Sequence, residues 1–307
     1  MEKEFKLMVA PLQGLTEAAW RSEHFRLFGE GQGDVEYFTP FIRVEKGEVR
    51  ARDLRDFTSE LNRGMRLTPQ IIFRDAEEWR MLVDKLAEAG AKRIDMNMGC
   101  PFPPQVRKGR GAGLLAQPEI ITEIAELTEQ YADSIEFSVK MRLGVKEANE
   151  ALGLVDVLNS MPLRHVAIHP RTASQQYKGK LLLDEMNAFA SKLRHPVIYN
   201  GEVSIPDEIA GLSAAYAGVM VGRGLLSRPS LFAEYRAGSE LSVEERERCW
   251  LELIKGTASV LEMRLCGAAQ LRDKMKPYWE YVPEGMDKRF VKMGKKGAHG
   301  CVLLGFM

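Results

Sequence analysis

The tightest constraint on how this chain folds is a rhythm. Eight short apolar runs recur: Lys6–Leu12, Val35–Ile42, Leu67–Phe73, Arg93–Cys100, Ile135–Leu143, His165–Thr172, Pro196–Val203 and Tyr216–Gly224. Each is followed by a segment of helical pattern. Asp75–Ala89 has Asp75 as N-cap and Gly90 as stop, and Pro118–Tyr131 carries proline in its first turn. Only the second and seventh helices are weakly patterned. Alternating strands and helices build a parallel sheet covered by helices, and eight alternations ending near residue 235 predict closure into a (β/α)8 TIM barrel. A doubly wound open sheet is the alternative.

After Leu241 the rhythm stops. Glu244–Leu265 reads as one long amphipathic helix and Ala268–Tyr281 as a second, with no strand candidate. The expected organisation is a barrel over residues 1–237 and a small all-helical domain over 238–307. From Arg264 to Lys296, nine Lys/Arg face four Asp/Glu, interleaved with Tyr278, Trp279, Tyr281 and Phe290. Cations for phosphates and aromatic faces for bases suit RNA; a solvated helix face over core aromatics is the competing reading. The Gly-rich, apolar stretch 297–307 has no reading.

Within the barrel, Arg93–Leu115 stands out. Ile94, Met96 and Met98 alternate with Asp95, Asn97 and Gly99, and Pro101 ends the strand directly after Cys100. A thiol therefore sits at the carboxyl end of a strand, ahead of a loop rich in Gly, Lys and Arg. A reactive cysteine beside an anion-binding loop is the first expectation. The other strand ends are polar too. They carry Leu12-Gln13-Gly14 after Pro11, Gln70 on the third run, Lys140 and Arg142 two apart on one face, and His169 and Arg171 likewise, followed by Gln175 and Tyr177. The last two runs end in Asn200-Gly201-Glu202 and Gly222-Arg223-Gly224. Barrel chemistry lies at these ends, and phosphates are often held after the seventh and eighth strands. Alone, Lys140 could be a Schiff-base lysine, a partner of a ring or phosphate, or half an ion pair. Together the residues imply a phosphorylated cofactor or substrate across the barrel mouth. No Gly-x-Gly-x-x-Gly follows a strand, so no dinucleotide fold is built in.

Composition bounds the rest. In 307 residues with 45% hydrophobic and 28% charged content, a globular core is expected, and zero formal net charge leaves any polyanion to local patches. Four separated cysteines form no CxxC pair, which argues against a zinc site or a disulfide framework; no metal is expected. The N-terminal MEKEFKLMVAPL has no signal-type run and no stretch reaches membrane-spanning length, so the expected location is cytoplasmic, with no membrane partner.

APLQGLTEAAWR, MNMGCP, RKGRGAGLL, VKMRLG, HPRTASQQYKG, YNGEV and VMVGRGLLSRPSLF, in this order, resemble the tRNA-dihydrouridine synthase family, with a weaker echo at LRDKMKPYWEYV. The resemblance implies an FMN-binding barrel and a helical domain that holds tRNA. It implies reduction of the C5–C6 bond of uridine, with NADPH or NADH as transient reductant; the expected working unit is a monomer. It matches Cys100 to a proton donor, not a nucleophile. Pro11, Leu12 and Gln13 match a flavin-contacting turn, and Gln70, Lys140 and His169 match flavin ligands. Asn200, Gly201, Glu202, Gly222 and Arg223 match segments around the FMN phosphate. Asn97, Arg142, Arg171, Gln175 and Tyr177 match positions on the substrate side. The loop Val106–Gly113 then reads as an RNA-backbone contact or a mobile cover over Cys100. Leu12, Glu17 and Pro170 depart from the family's usual Met, Asp and Gly. Rival readings are an FMN barrel on a free pyrimidine, similar to dihydroorotate dehydrogenase, a flavin-free lyase or aldolase using Lys140, and a non-catalytic RNA-binding module.

Overall fold

The computed structural model describes residues 5–31 and 33–296, so the stretch 297–307 lies outside the described residues. Its strands are β1 (Lys6–Val9), β2 (Val35–Phe38), β3 (Ile42–Glu45), β4 (Glu48–Val49), β5 (Arg66–Thr68), β6 (Gln70–Ile72), β7 (Arg93–Met98), β8 (Glu136–Arg142), β9 (Leu163–His169), β10 (Val197–Tyr199) and β11 (Gly218–Val221). They pair in the order β4-β3-β6-β7-β8-β9-β10-β11-β1-β2-β5, parallel throughout except for the β3–β4 hairpin. Only Pro69 separates β5 from β6, so the two flanks of this order join and the sheet closes as a barrel of eight staves.

Two staves are broken where single runs were expected. The Val35–Ile42 run ends as β2 at Phe38 and resumes as β3 beyond Pro40, which has no N–H to give a ladder. The Leu67–Phe73 run is divided at Pro69, whose carbonyl accepts from Asp95 N at 2.9 Å. Both parts still follow one path, because β5 pairs with β2 while β6 pairs with β3 and β7.

Side-chain alternation sorts two buried regions. Ile94, Met96 and Met98, like Val139, Met141, Val166 and Ile168, join the large apolar cluster against the helices. A separate small cluster of Met8, Ala10, Phe38, Ala167, Ile198 and Met220 fills one side of the barrel interior. On the other side the inward positions are polar and buried: Glu36, Thr68, Gln70, Asp95, Asn97, Ser138 and His165. A strand whose apolar face turns outward and whose polar face turns inward brings chemistry to the barrel axis.

The helices begin and end where local chemistry directs. Asp75 accepts from Glu78 N at 2.9 Å ahead of helix Ala76–Glu88, and Gly90 takes φ +88° beyond it. The second and seventh helices, Ala51–Phe57 and Pro206–Leu212, have seven residues each. The eighth, Leu231–Ala237, ends at Gly238 with φ +62°. Ser242 and Glu245 then form a reciprocal cap on Val243–Glu262.

The tail departs from expectation twice. The second helix stops at Met275 and continues as a 3-10 turn, Lys276–Glu280, because Pro277 supplies no N–H. Tyr278, Trp279 and Phe290 are buried rather than presented to solvent. The Trp279 ring lies 5.4 Å from that of Trp250 and 5.3 Å from that of Phe290, so these aromatics are core, not stacking platforms. The same apolar cluster runs from the barrel helices into this segment. Trp250 Nε1 donates to Leu226 O at 3.0 Å, Tyr278 Oη donates to Leu15 O at 2.5 Å, and Lys274 pairs with Glu17.

Loop Val106–Gly113 is not a mobile cover. Arg110 is buried, paired with the buried Glu78 and donating to Val44 O at 3.0 Å, while Ala112 N donates to Cys100 O at 3.1 Å. Arg107 and Lys108 alone among its cations face solvent.

Candidate active site

Of the residues expected at the site, Pro11, Leu12, Gln13, Asn97, Cys100, Lys140, Arg142, His169, Tyr177, Asn200, Gly201, Gly222 and Arg223 line one cavity at the carboxyl ends of the strands. The cavity is open to solvent. Phe41, just past β2, lines it as well and was missed; its place beyond a strand end is the signal that could have found it. Gln70, Arg171, Gln175 and Glu202 do not line it.

Their positions explain why. Gln70 lies inside the barrel, giving Nε2 to Asp95 Oδ2 at 2.7 Å and accepting from Asn97 Nδ2 at 2.7 Å. Arg171 is buried, donating to Gly179 O at 2.8 Å and to Glu202 at 2.9 Å, and Glu202 also holds Arg223 at 3.3 Å. Gln175 accepts from Thr172 N at 2.8 Å and donates to Lys180 O at 3.1 Å, which ties down its own loop.

The walls are built from strand-end loops. On the β1 side, Leu12 N donates to Thr16 Oγ1 at 2.8 Å and Gly14 takes φ +80°, closing a tight turn. Asn97 accepts from Gly99 N at 3.1 Å and Cys100 N at 2.8 Å, an Asx turn that sets the cysteine at the strand end. Arg142 donates to the carbonyls of Gly99 at 3.0 Å, Thr172 at 2.8 Å and Gln176 at 2.6 Å, so it braces the Cys100 turn against the loop after β9. Gln176 sits at φ +51°, carrying Tyr177 over the mouth. The Arg142 and Arg223 guanidinium carbons lie 5.3 and 4.7 Å from the Tyr177 ring centroid. Pro170 leaves His169 O to accept from Arg171 N at 2.7 Å.

Electrostatics follow from this crowding. Burial, then Arg142, lowers Lys140 to about 8 against the pull of Asp95 and Cys100. Burial, then Arg142, Lys140, Arg171 and Arg223, drives His169 down to about 2, so its imidazole is neutral. Burial raises the Cys100 thiol above its ordinary value and keeps it protonated at neutral pH, despite Lys140 and Arg142 nearby. Burial likewise lifts Asp95 to about 6, opposed by Ser138 and Gln70. A half-open cavity that concentrates cations and keeps its histidine neutral is built to receive an anion. An anionic, phosphate-bearing flavin fits that donor set.

The fold and cavity define a (β/α)8-barrel enzyme with a cationic mouth and a protonated thiol at the end of its fourth stave. The dihydrouridine synthase family model matches residues 8–296, and the chain belongs to this family, whose members are flavin-dependent oxidoreductases. It is 30% identical over 265 residues to the tRNA-dihydrouridine(16) synthase of Aquipseudomonas alcaligenes, covering 81% of this chain and 80% of that one. It is 27% identical over 267 residues to tRNA-dihydrouridine synthase B of Pseudomonas putida, covering 80% and 74%. Among solved structures, morphinone reductase shares the fold at a TM-score of 0.51 and 10% identity, over 77% of this chain and 87% of that one.

Proposed function

We propose that this chain reduces the C5–C6 double bond of specific uridines in tRNA, with Cys100 as the proton donor. One observation carries the reading: a burial-protonated thiol, Lys140 and Arg142 converge on one cavity around a neutral His169. When bound, FMN re-reduced by NADPH or NADH would supply the hydride equivalent for C6. Pro11, Leu12 and Gln13 would bind its ring from the β1 turn, with Lys140 and His169 beside them and Gln70 bonded through Asn97. Asn200, Gly201, Gly222 and Arg223 would hold its phosphate, with Glu202 aligning Arg223. Cys100 gives its proton to C5, a task for a general acid that is protonated at neutral pH. The Lys140 ammonium stabilises negative charge developing on a uracil carbonyl, and Arg142, Arg171 and Gln175 hold the loops that frame the base. Tyr177 offers an exposed aromatic face to a base flipped out of its stack.

The RNA path is supported by a groove that adjoins the cavity and shares Gln13 and Phe41 with it. Arg43, Arg50, Arg52, Arg55, Arg264 and Lys274 line it beside Glu17, Asp53 and Asp56, from the β3–β4 side and from the helical segment 238–296. On this reading that segment is a docking domain through its charges, not its aromatics. The enzyme acts as a cytoplasmic monomer; among the described residues no helix is long and apolar enough to cross a membrane.

The test is a purified flavin-loaded protein on unmodified tRNA transcript. Dihydrouridine should form with NADPH, and Cys100→Ala should lose roughly 100-fold or more in the uridine step while flavin reduction stays unchanged. Turnover of free uracil or orotate but not RNA would replace this reading with the free-pyrimidine one.

A further inference from the structure

Beneath the cavity, polar side chains are joined in series. Asp95 Oδ1 accepts from Ser138 Oγ at 2.6 Å and Oδ2 accepts from Gln70 Nε2 at 2.7 Å. Gln70 Oε1 accepts from Asn97 Nδ2 at 2.7 Å, and Asn97 Oδ1 accepts from the N–H groups of Gly99 and Cys100. Asp95 is fully buried and does not line the cavity.

We propose that Asp95 is a positioning residue whose carboxylate dictates the orientation of two side-chain amides in turn, and through them the turn that carries Cys100. The reason is parity. A carboxylate only accepts, so Gln70 must present its NH2 to Asp95 and its oxygen to Asn97. That oxygen can only accept, so Asn97 must present its NH2 to Gln70 and its own oxygen to the turn. The turn offers only N–H donors. Flipping either amide sets acceptor against acceptor or donor against donor at a buried site, where an unmatched pair is costly. Amide orientation is ordinarily ambiguous; here both ends of the chain determine it. Asp95 therefore specifies, from two residues away, the turn that presents Cys100, whose other face is held by Ala112 N.

This rests on the proposed role of Cys100, and isosteric charge swaps separate the two. Asn97→Asp puts a carboxylate against Gln70 Oε1. Gln70 must then turn its amide, and its oxygen meets Asp95. Asp95→Asn relieves that clash, because an amide there can donate to the turned Gln70 and still accept from Ser138. In the flavin-loaded protein, Asn97→Asp should lower Tm and change the iodoacetamide alkylation rate of Cys100, read by peptide mass spectrometry, by about tenfold. Asp95→Asn alone should change it by no more than about threefold, since Asn can serve the original parity. The double variant should recover both Tm and alkylation rate relative to Asn97→Asp. A double variant no better than Asn97→Asp, or Asp95→Asn as damaged as Asn97→Asp, overturns the proposal. If Cys100→Ala keeps full uridine turnover, the proton-donor role fails, while alkylation and Tm still decide the relay.

Discussion

Replacing Arg110 with Met tests whether the loop after Cys100 is a fixed wall or an RNA-binding cover. Arg110 donates through Nε to Glu78 Oε2 at 3.0 Å, through Nη2 to the same carboxylate, and to Val44 O at 3.0 Å. The two side chains are 8% and 6% exposed. Removing one partner of such a buried pair costs about 3–5 kcal/mol, because the other charge stays buried. Arg74 remains 3.3 Å from Glu78, but its side chain is 55% exposed. A pair of that kind returns at most about 1 kcal/mol. The expected loss in a urea unfolding experiment at neutral pH is therefore about 3 kcal/mol, the lower end of that range. RNA binding supplies the contrast. Arg110→Met should leave the salt dependence of tRNA affinity unchanged, while Lys108→Ala, at an exposed position, should reduce the slope by about one. A stability loss under about 1 kcal/mol, with a reduced salt slope in Arg110→Met, would refute the placement of Arg110 in the wall.

Two further outcomes are expected. With Lys140 lowered to about 8, its ammonium dominates below that pH and is lost above it. The uridine step should therefore be flat below pH 8 and fall above it, and Lys140→Met should be slower and lack that limb; a limb near the ordinary lysine value of 10.5 would contradict the burial account. Trp279→Ala should destabilise by about 3–5 kcal/mol, as for a fully buried aromatic. A near-neutral Tm with weakened RNA binding would instead return Trp279 to the surface.

The period of the chain determined much by itself. Eight apolar runs alternating with helices favoured a barrel over a doubly wound sheet, and most of the polar residues ending those runs meet at one mouth. Helix ends such as Asp75, Pro118 and Gly90 were legible because capping is local chemistry. The identity of Cys100 as a thiol at a strand end was equally plain. Other properties depended on partners distant in sequence. Pro40 and Pro69 break staves without breaking the barrel, because strands brought from elsewhere pair on either side of them. Arg110 looked like a surface cation until Glu78, 32 residues earlier, was folded against it. Tyr278, Trp279 and Phe290 looked available to RNA until the helical segment packed on itself and on the barrel. Asp95 read as one polar residue of an alternating strand. Only the pairing of β7 between β6 and β8, which places Gln70 and Ser138 at its two oxygens, makes it the start of a chain of donors and acceptors leading to the thiol. Local sequence sets what each group can donate or accept; the tertiary fold alone decides which groups meet.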